Sequence, residues 1–344
     1  MAKQKLHFAE LYRSNKAAVE RTLNSLWCGE IKNESQASYV NQLQQIIKDI
    51  FAPQNAIPLV ECMNRYETVH SVSADDAKKI VGGLWTKDFP PYEHQYQCWD
   101  TLLNGKTDEG KPKSICVTTG TGSGKTECFM LPLVYDLTQV KKFEQTQALF
   151  LYPLNALMED QKERMEEILE TAEKTTGVHL TFVVYNSDLP EDAKDIETDE
   201  QKRRKIEDIR GIERDENGRV KTDENGKPIV KYKHLIYTRE QLRQTPANIL
   251  LTNPTMLEYI LLRSKDSKIT ASHYKDSDGN IVKLESLRWV AIDETHTYSG
   301  AGAAELAMLL RRVIQAFDVE AENIRFATSS ATLGNGPKEE EQLR

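Results

Sequence analysis

The sequence lacks the features that define several large classes of protein. Its five cysteines include no C-x-x-C pair, which argues against a disulfide framework and against a zinc site. No run approaches the roughly 18 apolar residues that a membrane span needs. The N-terminus has no basic start followed by an apolar stretch and a small-residue cleavage site. We therefore expect a cytoplasmic protein with no membrane partner.

An excess of positive charge is also missing. The 344 residues contain 45 Lys and Arg against 53 Asp and Glu, which gives a net charge of −8. Nucleic acid would meet no overall electrostatic attraction, so any binding to it must depend on local donors. With 39% hydrophobic and 28% charged residues, the composition is that of a globular chain with one large or two ordinary domains.

The chain divides into two regions with different apolar spacing. Residues 1–88 place apolar residues three and four positions apart, which predicts a small all-helical N-terminal region. In residues 89–344, short apolar stretches alternate with helical patterns, which predicts an α/β domain with a parallel sheet covered by helices. The apolar stretches are SICVTT, QALFLY, LTFVVY, NILLT, RWVAID and IRFATSS.

Two polar insertions interrupt the α/β pattern. The first, at about 188–244, is rich in charged residues and contains DENGRVKT followed directly by DENGKPIV. Both copies carry Asn-Gly, a strong hairpin signal, so a small surface ribbon and a disordered charged loop are both open for this insertion. The second, HYKDSDGNIVKLES at 273–286, predicts another hairpin.

The stretch TTGTGSGKTE at 118–127 lies between a predicted strand and a helical pattern. A phosphate-binding loop needs glycines whose N–H groups turn inward, a lysine for the outer phosphates and a hydroxyl for magnesium at the start of a helix. Gly122, Gly124, Lys125 and Thr126 meet these needs. Because Thr119 stands where the general pattern has glycine, a turn without a ligand remains the alternative.

Two carboxylates, Asp293 and Glu294, end the predicted strand RWVAID. Ligands bind at the carboxyl ends of strands in open α/β sheets. We expect Asp293 to hold Mg²⁺ through water and Glu294 to polarise the attacking water of a phosphoryl transfer. A solvated acidic turn is the alternative, although two carboxylates at the end of a buried strand are costly without a partner.

Polar residues also follow other predicted strands. Asn155, Thr252 and Asn253 each lie near the start of a helix whose N–H groups can meet a backbone phosphate, which would let an acidic chain bind nucleic acid. Helix caps or turns are the alternative for these residues. Ser330 and Thr332 come at the end of the last predicted strand. Their position predicts that they connect the nucleotide site to the surface that binds nucleic acid, and an ordinary Ser/Thr turn is the alternative.

The order of these motifs resembles that of the superfamily 2 helicases of the DExH type. Between residues 92 and 333, PPYEHQYQCW resembles the adenine-reading segment, TGTGSGKTE motif I, LYPLNALMEDQ motif Ia, LLTNPTMLEYILLR motif Ib, DETH motif II and SSATLGN motif III. The stretches TNPTML, DETHTYSGAGAAELAMLLRRV and SATLGN are most similar to those of the MrfA-like helicases. Large helicases of anti-phage systems such as DISARM and Druantia share parts of these stretches. The chain departs from that branch at Thr295, where an aliphatic residue is more common, and it lacks the branch's zinc-binding cysteines.

The resemblance implies a RecA-like P-loop domain that uses ATP and Mg²⁺. It implies that the ATP site comprises Gln95 as base reader with Thr119, Gly120, Thr121, Gly122, Ser123, Gly124, Lys125 and Thr126. The implied catalytic residues are Lys125, Asp293 and Glu294, with Thr126 and Asp293 at the metal. The implied nucleic-acid contacts are Pro153, Asn155, Thr252 and Asn253, and the implied coupling residues are His296, Ser330 and Thr332.

The implied function is that of an ATP-dependent DNA helicase or translocase, in anti-phage defence or DNA repair, with defence-system proteins as partners. The alternatives are a double-stranded DNA translocase that does not separate strands and a nucleotide-gated scaffold without turnover, against which Glu294 argues. Because the sequence stops in the opening turns of a predicted helix, we expect the N-terminal portion of a longer protein. A second RecA-like domain in the remainder would supply the arginines, so this portion alone should be weakly active or inactive.

Overall fold

The computed structural model describes residues 66–330, apart from 121, 141–144, 195–198, 216–217, 276–277 and 285–286. Most of the predicted helical region lies outside the described residues, and so do Thr121 and Thr332. The compact unit that contains the described residues begins at Tyr66. Residues 66–88, which the sequence pattern grouped with the N-terminal region, therefore pack with the sheet domain, and Trp85 is buried in its core.

A seven-stranded parallel sheet forms the centre of the described residues, in the order β1-β9-β8-β2-β5-β3-β4. A separate antiparallel hairpin is formed by β6 and β7. The strands are β1 (Ile115–Thr118), β2 (Ala148–Leu151), β3 (Phe182–Tyr185), β4 (Leu235–Ile236), β5 (Ile249–Thr252), β6 (His273–Lys275), β7 (Ile281–Lys283), β8 (Trp289–Ile292) and β9 (Arg325–Ser330).

Eight α-helices accompany the strands in the described residues. They are α1 (Ala74–Lys79), α2 (Glu93–Leu103), α3 (Lys125–Thr138), α4 (Asn155–Thr176), α5 (Glu200–Arg210), α6 (Arg239–Gln244), α7 (Pro254–Leu262) and α8 (Ala301–Ala316). Short 3₁₀ segments occupy Ser264–Ile269, Thr295–Thr297 and Ala321–Asn323. Within the described ranges, none of the helices has the length and apolar character required to cross a bilayer.

The strands are apolar on both faces because helices cover both sides of the sheet. Phe150 packs with the side chains of α2, α3 and α4, while its neighbours Leu149 and Leu151 pack with those of α6, α7 and α8. Alternate residues of one strand point to opposite faces, so a continuous apolar run divides between two cores. The predicted α/β fold with a RecA-like parallel sheet covered by helices is confirmed, and all six predicted strands are present.

The charged insertion is more ordered than its composition suggests. The ribbon prediction is confirmed by an antiparallel bridge between Ile212 and Val230 and by one between Thr222 and Pro228, which flanks the second Asn-Gly turn. The insertion also contains α5, whose start is capped by Asp199 accepting a hydrogen bond from Lys202 N, and which ends at a left-handed glycine. The second predicted hairpin is confirmed as β6 and β7.

A buried ionic network fixes the segment that follows α7. Asp266 has no exposed surface and accepts hydrogen bonds from Arg243 Nε at 2.6 Å and from the Tyr185 hydroxyl at 3.0 Å. Removing one partner leaves the other polar groups buried without compensation. We expect Asp266→Ala to lower the free energy of unfolding by about 3–5 kcal/mol in urea titration. The exposed Asp188→Ala serves as control and should change it by less than about 1 kcal/mol; equal effects of the two changes would contradict this account.

Candidate functional site

The carboxyl ends of three neighbouring strands bring the predicted motifs together. β9 lies between β1 and β8, and the register pairs Thr118 with Ser330 and Ile292 with Thr328. The glycine-rich loop after β1, the carboxylates after β8 and the serines at the end of β9 therefore share one edge of the sheet. With strands about 4.8 Å apart, the outer two are separated by roughly 10 Å, which leaves space between loop and carboxylates for a phosphate group.

The glycine-rich loop has the backbone shape of an anion site. Gly122 and Gly124 both adopt left-handed conformations, with φ of 76° and 73°. At Gly124 the positive φ favours glycine, and a Cβ there would also lie 2.3 Å from Gln95 Nε2, so the Gln95 side chain would have to move. The loop leads directly into the 14-residue helix α3, whose first N–H groups have no partner within the helix. Such an N-terminus favours a bound anion.

The side chains of the loop fold around the same space. Lys125, the first residue of α3, donates from Nζ to the carbonyl oxygen of Thr119 at 3.0 Å, and Thr126 follows it on the helix. The hydroxyl groups of Thr119 and Ser123 lie 2.5 Å apart. Ser123 is buried, while Gly120 is partly exposed. The predicted loop residues that the structure describes therefore lie together.

Gln95 and His94 support the loop from behind. Gln95 is 1% exposed, accepts a hydrogen bond from Tyr92 N at 3.0 Å and donates to Gly124 O at 3.2 Å. His94 Nε2 donates to Ser123 O at 3.0 Å, and burial lowers the pKa of His94. In this arrangement Gln95 positions the loop, and its contact with a base stays a prediction. His94 was missed because only the fold brings it near Ser123.

Glu127 is a further buried group that the sequence patterns did not single out. It is 7% exposed and lies 3.0 Å from Lys87 Nζ and 4.0 Å from Arg164. Burial alone would raise the pKa of Glu127, but the charges of Arg164 and Lys87 outweigh that effect and lower it. The first turn of α3 is thereby tied to α4 and to the segment before α2.

The acidic pair is held by the adjacent strand. Ser329 Oγ donates to Asp293 Oδ1 and accepts a hydrogen bond from Glu294 N at 3.3 Å. The Thr295 hydroxyl donates to Ser329 O at 2.9 Å. Glu294 adopts a left-handed conformation with φ 50° and ψ 48°, which is strained for a residue with a side chain and persists only where its surroundings enforce it. Ser329, which the sequence reasoning did not name, is thus the main link between β9 and the acidic pair.

The predicted coupling residues that can be described lie next to Glu294. His296 Nδ1 is 3.1 Å from Glu294 Oε2 and 3.4 Å from the Ser330 hydroxyl. The side chain of Glu294 is 26% exposed and that of His296 37%, so both reach the edge of the sheet and solvent. His296 therefore contacts both the acidic pair and the end of β9, and its role in coupling stays a prediction.

Unused polar atoms surround the acidic pair. The hydroxyl groups of Tyr152 and Tyr298 are buried and make no hydrogen bond within the described residues, and Glu294 Oε2 has none with good geometry. Burial, with a further contribution from the charge of Asp293, raises the pKa of Tyr298 to about 12 and also raises that of Tyr152. Both phenols remain protonated donors at neutral pH. A hydrated divalent cation beside Asp293 would fit this set, because its water ligands would donate hydrogen bonds to the two phenol oxygens and to Glu294 Oε2.

The predicted nucleic-acid residues do not all lie on the surface. Asn253 Nδ2 donates to Asn155 Oδ1 at 2.8 Å, so the fold joins two predicted residues that are far apart in the sequence. Asn253 Oδ1 also accepts from Met256 N at 2.8 Å, which confirms that Asn253 caps α7. Asn155 is exposed and Pro153 is partly exposed beside it.

Thr252 is the last residue of β5 and lies inside the sheet. Its side chain is fully buried, and its hydroxyl donates to Tyr185 O at 2.8 Å. Tyr185 is its partner on the adjacent strand β3, while Asn253 follows outside the sheet. In this structure the Thr252 hydroxyl is therefore used within the sheet, and a contact of Thr252 with a nucleic-acid backbone stays a prediction.

Comparison with known proteins gives a family match for part of the chain. The model of the DEAD/DEAH box helicase family matches residues 92–208. The chain is 25% identical to Druantia protein DruE of Escherichia coli over 360 residues, covering 88% of the chain and 18% of that protein. It is 24% identical to the uncharacterised ATP-dependent helicase YprA of Bacillus subtilis over 302 residues, covering 88% of the chain and 31% of that protein.

Among solved structures, the chain resembles the DUF1998 helicase MrfA bound to DNA, with 22% identity and a TM-score of 0.48. The alignment covers 88% of this chain and 33% of that one. The chain therefore spans between about a fifth and a third of the length of the proteins it matches.

Proposed function

We propose that the protein is an ATP-dependent motor that moves on DNA, since residues 92–208 match the DEAD/DEAH box helicase family. The observation that carries the proposal is the convergence of the glycine-rich loop, the Asp293–Glu294 pair and the serines of β9 on one edge of the sheet. A nucleotide at this edge would touch all three at once. Its hydrolysis would therefore act directly on the end of β9.

The glycine-rich loop and the acidic pair would have different roles in ATP binding and hydrolysis. The α3 N-terminus and the Lys125 ammonium would bind the outer phosphates, and Thr126 with Asp293 would hold Mg²⁺, which neutralises charge on the phosphates. Ser329 keeps the Asp293 carboxylate oriented. Glu294 would accept a proton from the attacking water. The resulting loss of charge on Glu294 would weaken its contact with His296, whose Nδ1 lies 3.1 Å away.

The DNA side of the proposal depends on the pair of asparagines. Asn155 begins α4 and Asn253 caps α7, so their amides lie at two helix N-termini at the carboxyl edge of β2 and β5. Amide donors and helix N–H groups position a sugar-phosphate backbone without reading bases. Neutral donors of this kind suit a protein whose net charge is −8. The choice of DNA is supported by the motif resemblance to the MrfA-like helicases.

We expect the double variant Asn155→Ala/Asn253→Ser of the full-length protein to bind single-stranded DNA about tenfold more weakly at every sequence, since it loses two hydrogen bonds of about 0.5–1.5 kcal/mol each. Serine at position 253 retains a cap for α7. The salt dependence of binding should change by much less than one unit of slope, because no counterion-releasing contact is lost. A fluorescence titration over several salt concentrations measures both quantities.

The control for this experiment is Asn104→Ala, which removes an amide at the end of α2. That end lies at the opposite edge of the sheet, where Arg325, the first residue of β9, donates to Leu102 O. If the double variant and the control bind DNA with equal affinity, the Asn155–Asn253 pair does not contact DNA. Tighter binding of RNA than of DNA by the wild type would contradict the choice of nucleic acid.

Two finer parts of the proposal concern the whole protein. Because the chain spans a fraction of its relatives' length, we propose that a second RecA-like domain in the remainder completes the nucleotide site with arginines.

We also propose a role in anti-phage defence, which the similarity to Druantia protein DruE supports. Phage plating on cells that carry the intact system with Glu294→Gln should match plating on cells without the system.

A further inference from the structure

A cluster of metal-ligating side chains lies away from the candidate nucleotide site, where the charged insertion returns to the sheet. Glu173 is in the last turn of α4, His179 lies between α4 and β3, and His234 directly precedes β4. Each offers one ligand atom, and the three atoms all lie within 4.8 Å of one another. Two imidazoles and one carboxylate therefore converge from three separate segments.

His234 is the buried member of the cluster. Its side chain has no exposed surface, and its Nδ1 lies 2.8 Å from Leu180 O. A carbonyl oxygen only accepts, so Nδ1 carries the proton, and Nε2 presents its lone pair to the cluster. Nε2 makes no hydrogen bond, although it lies 3.4 Å from Glu173 Oε2. A lone pair and a carboxylate oxygen that face each other require a cation between them or a second proton on the ring.

The spacing of the other ligand atoms suits a metal ion. Tetrahedral zinc with bonds of about 2.0–2.2 Å sets its ligand atoms about 3.4 Å apart. His234 Nε2 lies 3.4 Å from Glu173 Oε2, and His179 Nδ1 forms a hydrogen bond of 3.0 Å with the other oxygen of the same carboxylate, Oε1. The His179 and His234 rings stack with their centroids 4.6 Å apart, so one ring must turn for both lone pairs to reach the same ion. The side chain of His179 is 50% exposed and that of Glu173 43%, which leaves both of them room to rotate.

The surroundings hold His234 as they would a ligand. The bond from Nδ1 to a backbone carbonyl is the usual outer partner of a metal-bound histidine, because it fixes both the tautomer and the ring orientation. Glu166 accepts hydrogen bonds from Lys233 N at 2.7 Å and His234 N at 3.3 Å, which fixes the backbone of this segment. The buried partner is therefore rigid, and the two exposed partners are adjustable.

We propose that Glu173, His179 and His234 bind one Zn²⁺ ion, with water completing the coordination. Two imidazole nitrogens favour zinc over Mg²⁺, which prefers oxygen ligands. The ion would join the end of α4 to the segments that lead into β3 and β4. It would thereby fix the point where the charged insertion re-enters the domain.

The test is a zinc titration of the full-length protein against a chromogenic chelator, after bound metal has been stripped. We expect His179→Ala, Glu173→Gln and His234→Ala each to bind one equivalent of Zn²⁺ fewer than the wild type, or to bind that equivalent at least about tenfold more weakly. His70→Ala, which changes an exposed histidine outside the cluster, should match the wild type. Zinc should raise the melting temperature of the wild type and of His70→Ala, whereas Mg²⁺ at the same concentration should not.

Because His234→Ala empties a buried site and can unfold the domain, the decisive variants are the half-exposed His179→Ala and Glu173→Gln. Substitution by Co²⁺ gives a second measurement, since a tetrahedral site has a visible absorption that these variants should lose. Zinc stoichiometry and affinity that are the same in all variants would overturn the proposal and leave an ordinary His–Glu ion pair. The readout requires neither ATP nor DNA, so it can fail or succeed independently of the proposed motor function.

Discussion

Replacing Glu294 by glutamine in the full-length protein is expected to lower ATP hydrolysis by about 10²- to 10⁴-fold, the range for loss of a general base. The amide has the same shape as the carboxylate, and the backbone around it is fixed by the bond from Glu294 N to Ser329 Oγ. ATP should therefore still bind and should dissociate more slowly. Glutamine cannot take the proton of the attacking water, which is why turnover falls and affinity does not.

Two assays on the same sample separate these effects, namely steady-state phosphate release and binding of a fluorescent ATP analogue. Glu109→Gln is a matched control, because it makes the same chemical change at an exposed residue in the turn before β1. Phosphate release by Glu294→Gln at the rate of the wild type would show that Glu294 is not the general base, whereas a wild type that binds ATP and releases no phosphate would favour the scaffold.

Replacing Lys125 by alanine is expected to weaken ATP binding by about 2–5 kcal/mol, or roughly 30- to 5,000-fold, which would abolish it at ordinary concentrations. Within the described residues Lys125 forms no ion pair, and its ammonium group bonds to a carbonyl of the loop itself. The charge is therefore available for phosphate oxygens. The domain should keep its melting temperature, since the change removes one hydrogen bond from a half-exposed loop.

Calorimetry with ATP and Mg²⁺ measures the affinity, and a thermal melt of each sample checks the fold. Lys113→Ala, which removes an exposed lysine just before β1, is the control and should bind ATP as the wild type does. An unchanged affinity in Lys125→Ala together with a normal melt would mean that the glycine-rich loop is a structural turn.

The strands were predictable because their signal is local. A strand buried on both faces is a short continuous apolar run, and NILLT or QALFLY can be read as such without any knowledge of the fold. β4 was not predictable, because two residues inside a charged insertion carry too little pattern. α5 did carry signals, an Asp cap at 199 and a terminal Gly211, but the charge of the region concealed them.

Some site residues were predictable from the local sequence pattern, and others were not. Lys125, Asp293 and Glu294 stand at fixed positions after apolar strands, so their meeting at one sheet edge follows from parallel topology. The choice between Ser329 and Ser330 depends on the pleat of β9, which a run of two serines does not reveal.

Longer-range partnerships are invisible in the sequence. β3 and most of the charged insertion separate His234 from Glu173 and His179, and only the paired strands β3 and β4 bring it beside them. The same applies to the contact of Asn155 with Asn253, which depends on the pairing of β2 with β5. Thr252 shows the opposite case, because its position at the end of a strand suggested exposure, whereas its side chain is buried against β3.

The most direct test of the proposed motor is ATP-driven displacement of a third strand from a DNA triplex by the full-length protein. This assay detects movement along DNA whether or not the duplex is separated, so it covers both helicase and translocase. We expect displacement that requires ATP and Mg²⁺ and that is lost in Glu294→Gln. A protein that binds ATP and DNA but leaves the triplex intact under these conditions would contradict the account.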